Sequence, residues 1–255
     1  MPWNPDIYNQ FKNIRFKPFF DLADLIRNKP QMKAIDLGCG TGEQTAILAE
    51  KFPDATWVGI DSSAEMLEKS KGLENDRLHF RQATTEEVLD SDEKWDLIFS
   101  NAALQWSDDH QKLFPTLISR LETGGQLAIQ MPYQPGNILN QILFELANEE
   151  PFKTQLNSWN RPSAVLSIDE YAQILFENGI EDLNLSQKVY PIIAEDHETL
   201  FNFISGSALI PYLEKLNDEQ QQLFTKEFKQ RIAKNFTKLP AIYSFKRILM
   251  YGRKK

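Results

Sequence analysis

The chain has 255 residues, a formal net charge of −8 and 42% hydrophobic residues. That length suits one large α/β domain, and the acidity works against binding to a phosphate backbone, so nucleic-acid substrates are disfavoured. The single cysteine, Cys39, excludes an intrachain disulfide and fits a reducing compartment.

Residues 1–31 read as a polar start, opened by Trp3-Asn4-Pro5, and an amphipathic helix with Tyr8, Phe11, Ile14, Phe19, Leu22 and Ile26 on its apolar side. A strand is predicted over Lys33–Leu37 and a helix over Glu43–Phe52, stopped by Pro53. A second strand over Thr56–Ile60 leads to a helix over Ala64–Lys71 that Ser63 can cap. Strands over Leu78–Gln82, Trp95–Ser100 and Gln126–Met131 follow, with a helix over Gln111–Leu121 before the last of them. This alternation predicts a doubly wound parallel sheet.

After Met131-Pro132 the rhythm changes. Ile138–Asn148 has a helical period, and Ser167-Ile168-Asp169-Glu170 is a capping box opening a helix that ends at Asn178-Gly179. A sixth strand is predicted near Leu183–Tyr190 and a final one over Tyr243–Tyr251. Between them lie helices over His197–Ile204, Ala208–Leu216 and Asp218–Asn235, expected to cap the carboxyl edge of the sheet. The basic residues Lys246, Arg247, Arg253, Lys254 and Lys255 read as a solvated tail. No basic stretch precedes an apolar one at the start, and no apolar run reaches membrane-spanning length, so a soluble cytoplasmic protein is expected.

Asp36-Leu37-Gly38-Cys39-Gly40-Thr41-Gly42 carries the chemistry. It joins the first strand to its helix, and the second strand ends in Asp61-Ser62-Ser63. Glycines let backbone approach a ligand closely, and an acid at the next strand tip can accept hydrogen bonds from both ribose hydroxyls. The dinucleotide pattern needs a glycine where this chain has Glu43, and a carboxylate there would repel a pyrophosphate. A sulfonium nucleoside meets no such obstacle. The run resembles motif I of class I S-adenosylmethionine (SAM)-dependent methyltransferases.

Ligands of open α/β sheets bind outside the carboxyl ends of the strands. That nominates Gly38, Cys39, Gly40 and Gly42, Asp61 with Ser62, Ala83 with Thr84, and Asn101 with Ala102. Cys39 reads as a small residue beside the cofactor rather than a nucleophile. Ala83 and Thr84 fall near the adenine edge. Met66 packs on adenine or in the core, and Asn101 faces the methionine part or caps a turn. Trp106 either walls the site, its ring face favouring a cation, or is buried under the cap. His79, His110 and His197 match no metal spacing, and no metal or catalytic acid–base group is nominated.

Trp3-Asn4-Pro5 with Tyr8, Asp36–Gly42, Gly59-Ile60-Asp61-Ser62-Ser63, Asp96-Leu97-Ile98-Phe99, Asn101-Ala102, Leu104-Gln105-Trp106, Leu113-Phe114-Pro115 and Gln130-Met131-Pro132 together resemble the trans-aconitate 2-methyltransferases, in order, over residues 1–132. The resemblance implies a seven-stranded Rossmann-like methyltransferase sheet with a helical cap inserted in the C-terminal half. Residues 1–31 would be a lid segment and helix, 32–135 the SAM-binding core, and 136–255 the rest of the sheet with the cap, in one compact domain. It also implies monoesterification of a small organic acid, with S-adenosylhomocysteine as the other product. Trp3, Asn4 and Tyr8 would line the cofactor, and Arg15 sits where the family has a basic residue. Tyr133 would be a substrate contact, although it replaces an acid of the family.

Beyond residue 132 the chain departs from the family. Gln187 and Ile210 stand where arginines are usual, and Arg15, Lys17, Arg161 and Lys188 are the cations available to compensate. A tricarboxylate needs fixed positive partners. Methylation of another small or carrier-bound acceptor, and SAM binding without catalysis, therefore stand as alternatives. The expected partners are a small acid, with no nucleic acid and no membrane; the oligomeric state is open.

Overall fold

The computed structural model describes residues 12–255, with side chains from Phe16 onward. Seven strands form one sheet in the order β3-β2-β1-β4-β5-β7-β6. They are β1 Lys33–Leu37, β2 Thr56–Asp61, β3 Leu78–Gln82, β4 Trp95–Asn101, β5 Leu121–Pro132, β6 Ile180–Ala194 and β7 Ala241–Lys254. The first five pair in parallel, and β7 runs antiparallel to β5. The strand order reverses between β1 and β4, which creates a crevice at their carboxyl ends.

The helices are α1 Lys12–Ala23, α2 Glu43–Lys51, α3 Ala64–Glu68, α4 Thr85–Asp90, α5 His110–Ser119, α6 Ile138–Ala147, α7 Phe152–Gln155, α8 Ile168–Glu177, α9 His197–Ser205, α10 Ile210–Leu213 and α11 Asp218–Asn235. Helices on both faces make the inner strands apolar on both sides, and Ala34, Ile35, Leu97, Ile98 and Phe99 are all essentially inaccessible. Capping boxes open α8 at Ser167 and α11 at Asn217, as the side-chain spacing predicts. No described helix is long and apolar enough to cross a membrane.

Two compact units can be distinguished. One holds Lys17–Pro132, Ala164–Lys188 and Arg247–Lys255, and contains the parallel strands. The other holds Tyr133–Ser163 and Val189–Lys246. Its own apolar cluster joins Leu139, Leu146, Leu200, Phe224, Phe228 and Tyr243, with Phe152 edge-on to Phe224 at 4.9 Å.

Several elements differ from the pattern reading. The short helix α4 was not foreseen; Thr84 opens it with a capping box to Glu87. β5 starts at Leu121 rather than Gln126, because a register shift between Trp95 and Leu97 lets the strand run through Gly124 and Gly125. The helix over Ala208–Leu216 shortens to α10. The C-terminal basic cluster is not a tail. All of it but Lys255 lies on β7, which continues to Lys254, and Arg247 is only 6% exposed.

Candidate functional site

Gly38, Gly40 and Gly42 all have left-handed backbone, with φ of 75°, 58° and 75°. The turn is pinned where β1 ends: the amides of Gly38 and Cys39 both donate to the Ile60 carbonyl, at 2.9 and 2.8 Å. A Cβ on Gly38 would lie 2.2 Å from that of Ala103, and one on Gly42 2.6 Å from the Phe80 ring. These two glycines are required by packing. At Gly40 a Cβ would meet nothing within 4 Å, so this face of the loop is open to a ligand.

Asp61 ends β2 directly beside that face. Its Oδ2 accepts from the Gly40 amide and its Oδ1 from the Ser63 amide, both at 2.9 Å. A carboxylate has about four lone-pair directions, so each oxygen keeps capacity for a further donor. Ser63 also caps α3 by accepting from the Met66 amide at 3.3 Å. Ser62 is exposed, Met66 is half-buried, and the Ala83 amide donates to the Asp61 carbonyl at 3.1 Å. Thr84 is half-buried and engaged in the α4 cap.

Beneath the loop, Asp36 is buried and accepts from Thr45 Oγ at 2.6 Å. Burial pushes its pKa up to about 7; the Thr45 hydroxyl opposes this and the Asp61 charge adds to it. Burial, followed by the Asp36 and Asp61 charges, also drives the Cys39 thiol far above its usual range. It is a poor thiolate and a poor nucleophile.

At the end of β4, Asn101 donates through Nδ2 to Gln44 Oε1 at 2.8 Å, and Gln105 through Nε2 to the Ala102 carbonyl at 2.7 Å. Ala102 has φ 58°, which turns the chain sharply at the strand tip. Asn101 Oδ1 and Gln105 Oε1 are buried acceptors without a partner among the described residues. Buried orphan acceptors are rare, and these two suit a ligand rich in N–H or O–H donors. Open backbone at Gly40, spare carboxylate capacity at Asp61 and orphan acceptors near the β4 tip are what a nucleoside with an ammonium group requires.

Trp106, 37% exposed, sits in the one-turn segment after Asn101. That turn is fixed from below by His110, whose Nε2 donates to the Leu104 carbonyl at 2.9 Å and whose Nδ1 accepts from Tyr171 Oη at 2.5 Å. Tyr171 Oη in turn accepts from the Leu166 amide at 3.1 Å, so these three contacts select one His110 tautomer. Burial holds the His110 pKa below its usual value.

The structure thus brings together the predicted residues of motif I and those at the tips of β2, β3 and β4. Tyr133 belongs to the other compact unit, where its ring packs over Gly136. Trp3, Asn4 and Tyr8, and the Arg15 side chain, lie outside the described residues. Lys188 is paired with Asp21 at 2.6 Å. Sequence reasoning missed Gln44 and the His110–Tyr171 contact: the first lies at an unmarked helix position, and the second joins residues 61 apart in the chain.

The Methyltransferase domain family model matches residues 28–197. The chain is 40% identical over 255 residues to the trans-aconitate 2-methyltransferase of Deinococcus radiodurans, with 98% of this chain and 97% of the relative covered. Its fold is shared with the YcgJ protein of Bacillus subtilis at TM-score 0.59 and 19% identity, over 94% of this chain and 98% of that one. It is also shared with phosphoethanolamine N-methyltransferase 2 of Haemonchus contortus, solved in complex with SAM, at TM-score 0.55 and 16% identity, over 93% of this chain and 52% of that one. The chain belongs to the trans-aconitate 2-methyltransferase family, SAM-dependent enzymes of the class I methyltransferase fold.

Proposed function

We propose that the chain methylates a carboxylate of trans-aconitate or a closely related small acid, using SAM and releasing S-adenosylhomocysteine. The observation that carries this reading is the latch between Gly40 and Asp61, an open glycine face held against a strand-tip carboxylate, in a chain 40% identical to a trans-aconitate 2-methyltransferase.

In this reading Asp61 takes the ribose hydroxyls, and Gly38, Cys39, Gly40 and Gly42 offer backbone to the nucleoside and its amino-acid arm. Ser62, Met66, Ala83 and Thr84 frame the base. Asn101 and Ala102 face the methionine part, where the orphan Oδ1 of Asn101 suits an ammonium. Trp106 offers its ring face to positive charge. Trp3, Asn4, Tyr8 and Arg15 come into the site from the family resemblance. The bound cofactor supplies an electrophilic methyl group on a sulfonium.

A carboxylate acceptor is already ionised at neutral pH, so these residues need no general base. The chain's own work is to hold the acceptor in line and exclude water. The high thiol pKa of Cys39 and the hydrogen bonds of His110 support a positioning mechanism. A cytoplasmic location accompanies this reading, in keeping with a free, buried Cys39.

A second reading keeps the cofactor and changes the acceptor. It is favoured by Gln187 and Ile210 in place of the family's arginines and by the engagement of Lys188 with Asp21. Transfer of labelled methyl from SAM to trans-aconitate, with citrate, cis-aconitate and isocitrate alongside, separates the two. Base-labile product on trans-aconitate supports the first. SAM binding without turnover on any of these acids rejects it and points to a less charged acceptor.

A further inference from the structure

Side chains alternate along β3, and the glycine loop shows which of its two faces belongs to the site. Phe80 supports that loop from the β3 side: a Cβ on Gly42 or on Gly59 would lie 2.6 Å from its ring. Residues two apart on a strand share a face, so Gln82 lies on the same side as Phe80, one step nearer the carboxyl edge of the sheet. The register agrees. β2 and β3 run parallel, with Gly59 beside Phe80 and Asp61 beside Gln82. Gln82 is therefore the strand neighbour of the carboxylate that closes the glycine loop.

The Gln82 side chain is held at one end. Its Nε2 donates to the Ser62 carbonyl at 3.1 Å, immediately after Asp61 in the chain. That contact ties the amide to the tip of β2 through its donor end and leaves the carbonyl end, Oε1, which can only accept. Gln82 is exposed, so this acceptor is not enclosed by the protein. The flanking residues are engaged in local structure. The Ala83 amide donates to the Asp61 carbonyl at 3.1 Å. The Thr84 amide donates to Glu87 Oε2 at 2.7 Å, and the Thr84 hydroxyl accepts from the Glu87 amide at 3.1 Å. Arg81, on the opposite face, pairs with Glu93 at 3.5 Å.

We infer that Gln82 reads the exocyclic amino group of the cofactor's adenine through Oε1, with the Ser62 carbonyl as the anchor that keeps the acceptor end of the amide forward. The inference rests on the reading that places the ribose on Asp61. An amino group on the base offers two hydrogens and needs an acceptor. Gln82 supplies one beside the ribose carboxylate, and because it is neutral it adds no second negative charge next to Asp61. Gln82 is thus a specificity-determining contact, which favours an aminopurine over a purine without that group.

The test compares S-adenosylhomocysteine with its analogue lacking only the 6-amino group, each titrated by calorimetry. The proteins are the parent, Gln82→Met, which keeps the side-chain length and loses the carbonyl, and Glu87→Ala, which removes the neighbouring carboxylate. The readout is the ratio of the two affinities, which a general loss of stability does not move. The parent is expected to prefer S-adenosylhomocysteine by roughly fivefold, the worth of one neutral hydrogen bond. In Gln82→Met the two ligands should bind within about twofold of each other, and Glu87→Ala should keep the parent's preference. A preference that survives in Gln82→Met, or that disappears in Glu87→Ala instead, overturns the assignment and leaves the cofactor reading intact. Equal binding of both ligands by the parent does the same. If Asp61→Ala binds S-adenosylhomocysteine as tightly as the parent, the ribose is not on Asp61, and the placement of the base beside Gln82 falls with it.

Discussion

Gly40 and Asp61, twenty-one residues apart in sequence, are joined by a 2.9 Å hydrogen bond from the glycine amide to Oδ2 of the acid. The bond gives Asp61 two tasks: it holds the glycine loop in its left-handed turn and presents the remaining carboxylate capacity to the ribose. Asp61→Ala is expected to weaken SAM binding at least tenfold, on the order of 1.4 kcal/mol. Asp61→Asn keeps one acceptor oxygen and should fall between it and the parent. Calorimetric titration with SAM decides this; equal affinity in all three proteins would remove Asp61 from the cofactor.

The glycines separate packing from binding. Gly38→Ala puts a methyl group 2.2 Å from the Ala103 Cβ at φ 75°, so it should lower the melting temperature markedly. Gly40→Ala meets no atom and carries only the left-handed backbone cost of about 1–2 kcal/mol. It should remain folded and lose cofactor affinity, because its methyl group occupies the open face. Thermal melts with and without SAM test the contrast; a SAM-induced stabilisation of Gly40→Ala equal to the parent's would contradict it.

Asp36 sets a pH dependence. Its folded pKa of about 7 lies above the ordinary 3.8, so in the free protein its ionisation is resisted, and the stability gained from the neutral form fades as pH rises from about 4 through 7. A cation over the glycine loop favours the ionised form. SAM affinity should therefore rise several-fold from pH 6 to pH 8, with proton release on binding near pH 7. In Asp36→Asn the affinity should be nearly flat over that range. Titration in buffers of different ionisation enthalpy measures the released proton directly.

His110 and Tyr171 support the turn that carries Gln105 and Trp106. Tyr171→Phe leaves His110 Nδ1 and the Leu166 amide without their hydrogen bonds, at a cost on the order of 1–3 kcal/mol. Because burial lowers the His110 pKa, the unfolded chain takes up this proton more readily, and stability should decline as pH falls below about 6.5. His110→Gln should weaken that acid limb of the stability profile. Urea unfolding at pH 5.5 and 7.5 gives the test, and an unchanged difference between the two pH values would assign the decline to other groups.

Where a local pattern recurs within one element, it was legible. Asp36–Gly42 and the strand-tip Asp61 are adjacent in a strand–turn–helix–strand unit, so spacing alone places them together, and the caps at Ser63, Ser167 and Asn217 follow from side chains three residues from their partners. The boundaries of β5 were not legible, because a bulge lets a strand run through Gly124-Gly125 where a turn is the simpler reading.

Arg247 shows the limit most clearly. In the sequence it belongs to a basic C-terminus and resembles a solvated tail. Its burial depends on β7 pairing with β5, segments more than a hundred residues apart that no local period links. The sequence by itself determined the cofactor class and the parallel half of the sheet, because glycine φ requirements, caps and apolar period act over a few residues. Only the tertiary structure decided which polar atoms of Asn101, Gln105 and Gln130 have no partner among the described residues, because hydrogen-bond satisfaction is settled by neighbours distant in the chain.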